Sequence, residues 1–140
     1  NGDINNIFSI DTGNDVLDLS NSTVKLSNFN SNNALDKAIS IGERSKLNAE
    51  NLNIDKAFIG IAIKDESEVL IENVNISNTN FGIATYIKKI EYEPVQGEIT
   101  KYIYNNNKVN KIIESKSNIS INSKTNHKFK NNVINLLYPG

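Results

Sequence analysis

The chain has 140 residues and a formal net charge of -1, with 15 Lys+Arg set against 16 Asp+Glu. That length fits one ordinary domain, and the charge balance offers no footing to nucleic acid or an anionic membrane. No apolar run approaches the ~20 residues of a membrane-spanning helix, and the absence of Cys excludes disulfides and thiolate metal sites.

The chain opens Asn1-Gly2-Asp3 with no basic-then-apolar leader, as expected of a mature piece or excised domain of a larger protein. It holds 26 Asn and 21 Ile, a pairing that suits short strands joined by tight turns. Ile fills strands, and Asn tolerates left-handed turn conformations.

A repeat then runs along the chain. Ser22-Thr23-Val24-Lys25-Leu26-Ser27-Asn28-Phe29-Asn30 aligns with Ser45-Lys46-Leu47-Asn48-Ala49-Glu50-Asn51-Leu52-Asn53 and with Ser67-Glu68-Val69-Leu70-Ile71-Glu72-Asn73-Val74-Asn75. A partial copy, Ile4-Asn5-Asn6-Ile7, precedes them. In phase with it, Val16-Leu17-Asp18-Leu19 is followed by Ala38-Ile39-Ser40-Ile41, Gly60-Ile61-Ala62-Ile63 and Gly82-Ile83-Ala84-Thr85, each 22 residues after the last. Period-2 alternation within each unit predicts strands with one apolar face. A ~22-residue unit of several short strands cannot close its own core, so it must stack on its neighbours.

Stacking predicts inward columns Leu26, Ala49, Ile71, Ile121 and Leu19, Ile41, Ile63. Asn28, Asn51 and Asn73 are expected to form a ladder at a turn, and Ser22, Ser45, Ser67 and Ser117 to mark another corner. The expected fold is all-β, a right-handed parallel β-helix of about five coils with a C-terminal cap. Clear coils cover residues 4–89, an insertion 87–98, a degenerate coil 99–122 and the cap 123–140. The register resumes because Ile113–Ile121 repeats Ile63–Ile71, 50 residues on. It places Lys111 where an inward apolar residue is expected. The last stretch, Phe129 to Tyr138, is apolar enough to fold over the C-terminal opening. The first coil is left uncovered, so further coils or another domain of the same polypeptide are expected there.

A leucine-rich repeat would carry its Asn three residues after the last apolar position, not two. The pattern instead resembles right-handed parallel β-helices of the pectate-lyase-like kind, closely over residues 4–89 and loosely over 99–122. The resemblance implies an extracellular or cell-surface setting and dealings with polysaccharide. Enzymes of that kind commonly use an Asp cluster for Ca2+ with an Arg or Lys base, or two or three carboxylates on one face.

Here the Asp residues are scattered over different phases of the repeat, and the column Asp18, Ser40, Ala62, Ala84 does not sustain acidity. The nearest constellation is a corner with Asn21, Glu43, Arg44, Asp65 and Glu66, where Arg44 is expected to pair with Glu66 at the surface. His127, the only His, is expected in a solvated loop. Gly60 and Gly82 are assigned to turn geometry. Tyr86, Tyr92, Tyr102 and Tyr104 flank a loop holding Glu91, Glu93 and Pro94. Such rings suit stacking on sugars, although packing of the loop onto the helix is the simpler expectation.

The candidate ligand-binding residues are therefore Tyr86, Tyr92, Glu91, Glu93, Arg44, Asp65 and Glu66, with no catalytic residue, metal or cofactor assigned. The expected function is a non-catalytic structural or carbohydrate-contacting module of a larger secreted or cell-surface bacterial protein. The alternatives are a fragment of a polysaccharide lyase, epimerase or glycoside hydrolase, and an assembly module using the exposed edge.

Overall fold

The computed structural model describes residues 2–140, with Asn1 outside it. The chain winds into a parallel β-solenoid of about five turns. Strands β1 (Gly2–Thr12) and β2 (Leu17–Ser20) make the first coil. The next three coils are β3 (Thr23–Gly42), β4 (Lys46–Lys64) and β5 (Glu68–Tyr86). A fifth is built from β6 (Gln96–Ile99), β7 (Tyr102–Asn105) and β8 (Val109–Glu114). Strands β9 (Asn118–Ile121) and β10 (Phe129–Lys130) begin another, and the short helix α1 (Val133–Leu137) follows.

β3, β4 and β5 run for 20, 19 and 19 residues because single residues, not loops, turn two corners of each coil. At the first corner Asn28, Asn51 and Asn73 sit at φ 57°, 60° and 57°. That is the left-handed region, which Asn enters more easily than other residues with a side chain. Asn51 Nδ2 donates to Asn28 Oδ1 (3.4 Å), and Asn28 Nδ2 to Asn5 Oδ1 (3.3 Å), so side-chain amides link three successive coils.

A second left-handed column, Asp11, Asn33, Lys56, Asn78 and Asn106, turns the next corner. It is tied by Asn33 Nδ2 to Asp11 Oδ1 (2.8 Å) and Asn106 Nδ2 to Asn78 Oδ1 (2.6 Å). The third corner is a two-residue turn, Glu43-Arg44 and then Asp65-Glu66, with all four residues at positive φ as a type I′ turn requires. Ser45 N donates to Gly42 O (3.1 Å) to close the first of these turns.

Between corners each coil presents three faces, and the pairing fixes which residues look inward. Leu26, Ala49, Ile71, Ile99 and Ile121 are partners in succession, as are Leu19, Ile41, Ile63, Thr85 and Ile113. Nearly all are fully buried. Each buried Ile or Leu contributes ~1.5–3 kcal/mol, so the columns dominate stability. Thr85 interrupts its column without leaving an orphan group: its Oγ1 accepts from Glu114 N (2.9 Å) and lies 3.0 Å from Ser117 Oγ. Ser45 Oγ accepts from Ser22 N (3.1 Å), and Ser67 Oγ donates to Lys64 O (2.7 Å), so the Ser corner seals its own backbone.

Gly60 and Gly82 lie inside β4 and β5, not in turns. A Cβ on Gly60 would meet Gly82 O at 2.6 Å, so neighbouring coils approach too closely there for a side chain. His127 is buried, not solvated: its Nε2 lies 2.9 Å from Ile119 O and its Nδ1 2.7 Å from Lys111 Nζ. Lys111 does occupy the inward column below Ile83. The imidazole satisfies the ammonium that this position would otherwise strand.

The residues after β9 divide the work of a cap. The 123–128 segment brings His127 under the last coil, and β10 pairs with β8. Helix α1 lies along the flank rather than over the opening. Val133 and Leu137 pack with Ile59, Ala62, Ala84, Tyr86 and Ile112 on the outside of the third face. Glu114 accepts from the N–H groups of Asn132 (3.0 Å) and Val133 (3.1 Å), fixing where the helix starts. Tyr138 OH then reaches Asp36 Oδ1 in β3 (2.9 Å).

Candidate functional site

The segment 87–95 leaves the solenoid between β5 and β6 and returns over the third corner. Asp65 holds its root: Oδ1 accepts from Lys88 N (2.7 Å) and Lys89 N (3.0 Å). Glu66 holds its far side, with Oε1 accepting from Glu93 N (3.0 Å) and Oε2 from Arg44 Nε (3.0 Å). The Arg44 guanidinium stands over the Tyr92 ring, 5.3 Å from its centroid. Alongside, Lys89 Nζ and Glu43 Oε1 pair at 2.8 Å. The hydrogen bond from Lys89 lowers the Glu43 pKa, and Glu43 in turn raises that of Lys89. Both groups are exposed and their attraction is screened.

The structure thus brings together Arg44, Asp65, Glu66, Tyr92 and Glu93, five of the seven candidate residues. Glu91 projects into solvent beside Lys89. Tyr86 is elsewhere, buried on the outer third face against α1. Tyr102 is interior, donating its hydroxyl to Asn110 O (2.7 Å) with Tyr104 tilted against it. The tyrosines therefore form no common platform. At the corner, one face of Tyr92 is covered by Arg44, and both carboxylates are engaged by loop backbone. Arg44 remains well exposed, so its other nitrogens can reach a ligand from solvent.

Two shallow troughs mark the outer faces. One, of about 410 Å³, crosses four coils of the first face and is lined by Lys25, Lys46, Asn48, Glu68, Leu70 and Gln96 among others. The other, of about 260 Å³, crosses the second face along Asn30, Asn53, Asn75 and their neighbours Asp55 and Ser77. Alternation along the strands puts these polar side chains outward, and stacking puts like beside like.

Among the described residues no three His, Asp or Glu side chains are grouped to hold a metal ion, and no helix is long and apolar enough to cross a membrane. The fold and faces define the class, a parallel β-solenoid of stacked ~22-residue coils. Beyond that class, no family model, curated protein or solved structure matches the chain.

Proposed function

We propose that the chain is a non-catalytic, pectate-lyase-like β-helix module that contacts carbohydrate within a larger secreted or cell-surface bacterial protein. The observation that carries this reading is the trough on the outer first face. Its side chains recur once per coil, about every 4.8 Å, a spacing close to one sugar unit of a linear glycan. Lys46 and Glu68, 3.9 Å apart, offer a donor and an acceptor to sugar hydroxyls, and the partly exposed Leu70 offers an apolar surface to a ring face. Arg44 and Tyr92 at the adjacent corner extend the same polar edge.

The test is a glycan-array screen of the domain with and without Ca2+, with product release from acidic polysaccharides followed in the same samples. Binding without turnover, weakened by Leu70→Asp, is the expected result. Turnover would overturn the non-catalytic reading in favour of a lyase, epimerase or hydrolase. Absence of binding to any glycan would remove carbohydrate contact and leave a structural spacer. A second reading, an assembly surface, is favoured by Phe8 and Ile10, which project from β1 at 74% and 60% exposure. Concentration-dependent association abolished by Phe8→Ser with Ile10→Ser would establish it.

A further inference from the structure

The third face carries a cavity of about 350 Å³ beside α1, distinct from the troughs and the corner. Its cationic wall is Lys37, Lys64 and Lys88, and its other lining groups are Asp36, Tyr86, Ile134 and Tyr138. Lys37 is committed, with its ammonium 2.8 Å from Asp36 and 3.6 Å from Asp15. Asp36 also accepts from Tyr138 OH.

Lys64 and Lys88 differ from Lys37: among the described residues neither ammonium has a carboxylate or hydrogen-bond partner. The stem of Lys64 is folded flat on Gly42, where an added Cβ would lie 2.8 Å from its Cε, so the ammonium is held against the sheet. Burial lowers its pKa, and repulsion from Lys88 and Lys37 lowers it further, each weighing more than the opposing pull of Asp18 and Asp65.

Tyr86 adds a third donor group to the same cavity. Its side chain is 1% exposed, it lines this cavity, and its hydroxyl has no partner among the described residues. Its oxygen is not among the fully buried atoms that lack a partner, so it opens to the solvent of the cavity. Burial also raises the phenol's pKa, keeping it protonated and a donor. The half-buried Lys64, the exposed Lys88 and the Tyr86 O–H thus line one cavity with three donors that no protein acceptor occupies among the described residues. Ile134 and the Tyr138 ring line the same cavity with apolar surface.

We infer that this cavity binds a small organic anion, whose carboxylate or phosphate head is held by Lys64, Lys88 and the Tyr86 hydroxyl and whose apolar body lies against Ile134 and Tyr138. The inference is independent of the carbohydrate reading, which concerns other faces.

The experiment is a two-dimensional NMR titration of the whole chain with sodium benzoate, phenyl phosphate, acetate and inorganic phosphate, against sodium chloride at matched ionic strength. Saturable shifts on α1 and β3–β5 are expected, with benzoate or phenyl phosphate binding more tightly than the matching bare ion. Which of the two binds names the head group. Tyr86→Phe removes only an unpartnered hydroxyl, so the fold survives; its affinity should fall about tenfold, the worth of a hydrogen bond to a charged group. Lys64→Met should lower affinity at least as much. Failure of all four anions to saturate would overturn the inference, as would binding unchanged in Tyr86→Phe and Lys64→Met.

Discussion

Replacing Gly82 by Ala is the sharpest perturbation of how the coils nest. Gly82 lies in β5 at ordinary strand geometry, so what matters is space rather than backbone freedom. An added Cβ would fall 2.0 Å from Tyr102 Oη and 2.6 Å from Asn110 O, two atoms that are hydrogen-bonded to each other at 2.7 Å. The Tyr102 ring is buried, so its hydroxyl can move only by abandoning its acceptor. A buried hydroxyl left unpaired costs ~1–3 kcal/mol, and overpacking adds ~1–3 kcal/mol. Restriction of the unfolded chain by Ala returns only ~0.4–1 kcal/mol. Gly82→Ala should therefore destabilise by roughly 3 kcal/mol, read as a lowered urea midpoint by far-ultraviolet circular dichroism. Tyr102→Phe alone should cost about 1 kcal/mol. The double variant should cost at least ~1 kcal/mol less than the sum, because the Cβ then meets the carbonyl at 2.6 Å and the ring Cζ at 3.3 Å but no longer the hydroxyl at 2.0 Å. A Gly82→Ala cost below ~0.5 kcal/mol, or strict additivity, would refute this account.

Three further outcomes follow from the same geometry. Asp65→Ala removes the acceptor of two backbone N–H groups and should destabilise by about 2 kcal/mol, with faster hydrogen exchange at Lys88 and Lys89, while Asp65→Asn recovers part of the loss. Lys64 has a lowered pKa, so between that value and the unfolded 10.5 the folded state gives up its proton first and stability gains as pH rises. Lys64→Met should raise the Tm at pH 7, and its advantage over wild type should shrink as pH climbs through that window. His127→Ala strands the Lys111 ammonium inside the last coil and should cost ~2–3 kcal/mol, whereas Lys111→Met combined with His127→Leu should recover most of it, as replacement of buried polar pairs often does.

The inward columns were legible because identical positions bury identical residue types: Leu26, Ala49 and Ile71 announce their register at sight. The Asn28–Asn51–Asn73 corner was legible for the same reason, since one backbone conformation recurs there. The second corner was not, because Lys56 interrupts Asn33 and Asn78 although all three share the left-handed conformation. Ser40, Ala62 and Ala84 read as a face that fails to stay acidic, whereas small outward residues leave room for a helix. Tyr86 looked like a loop ring because the column it shares with Lys64 ends where the repeat breaks. The burial of His127 had no sequence signal apart from Lys111 itself, an inward cation needing an acceptor.

The reach of Tyr138 to Asp36 joins residues 102 apart in sequence. In a stack whose coils touch only their neighbours, stability is nearly a sum of local terms, and the array can fray from either end. A latch from the last residues to the second coil changes that arithmetic. The fifth coil cannot peel away without first unseating α1 from Ile59, Ala62 and Ala84, so separate local openings become a single event. Pulled from its C-terminus, the chain should resist and then yield in one step instead of unzipping coil by coil. With Tyr138→Ala and Leu137→Ala the staircase should return.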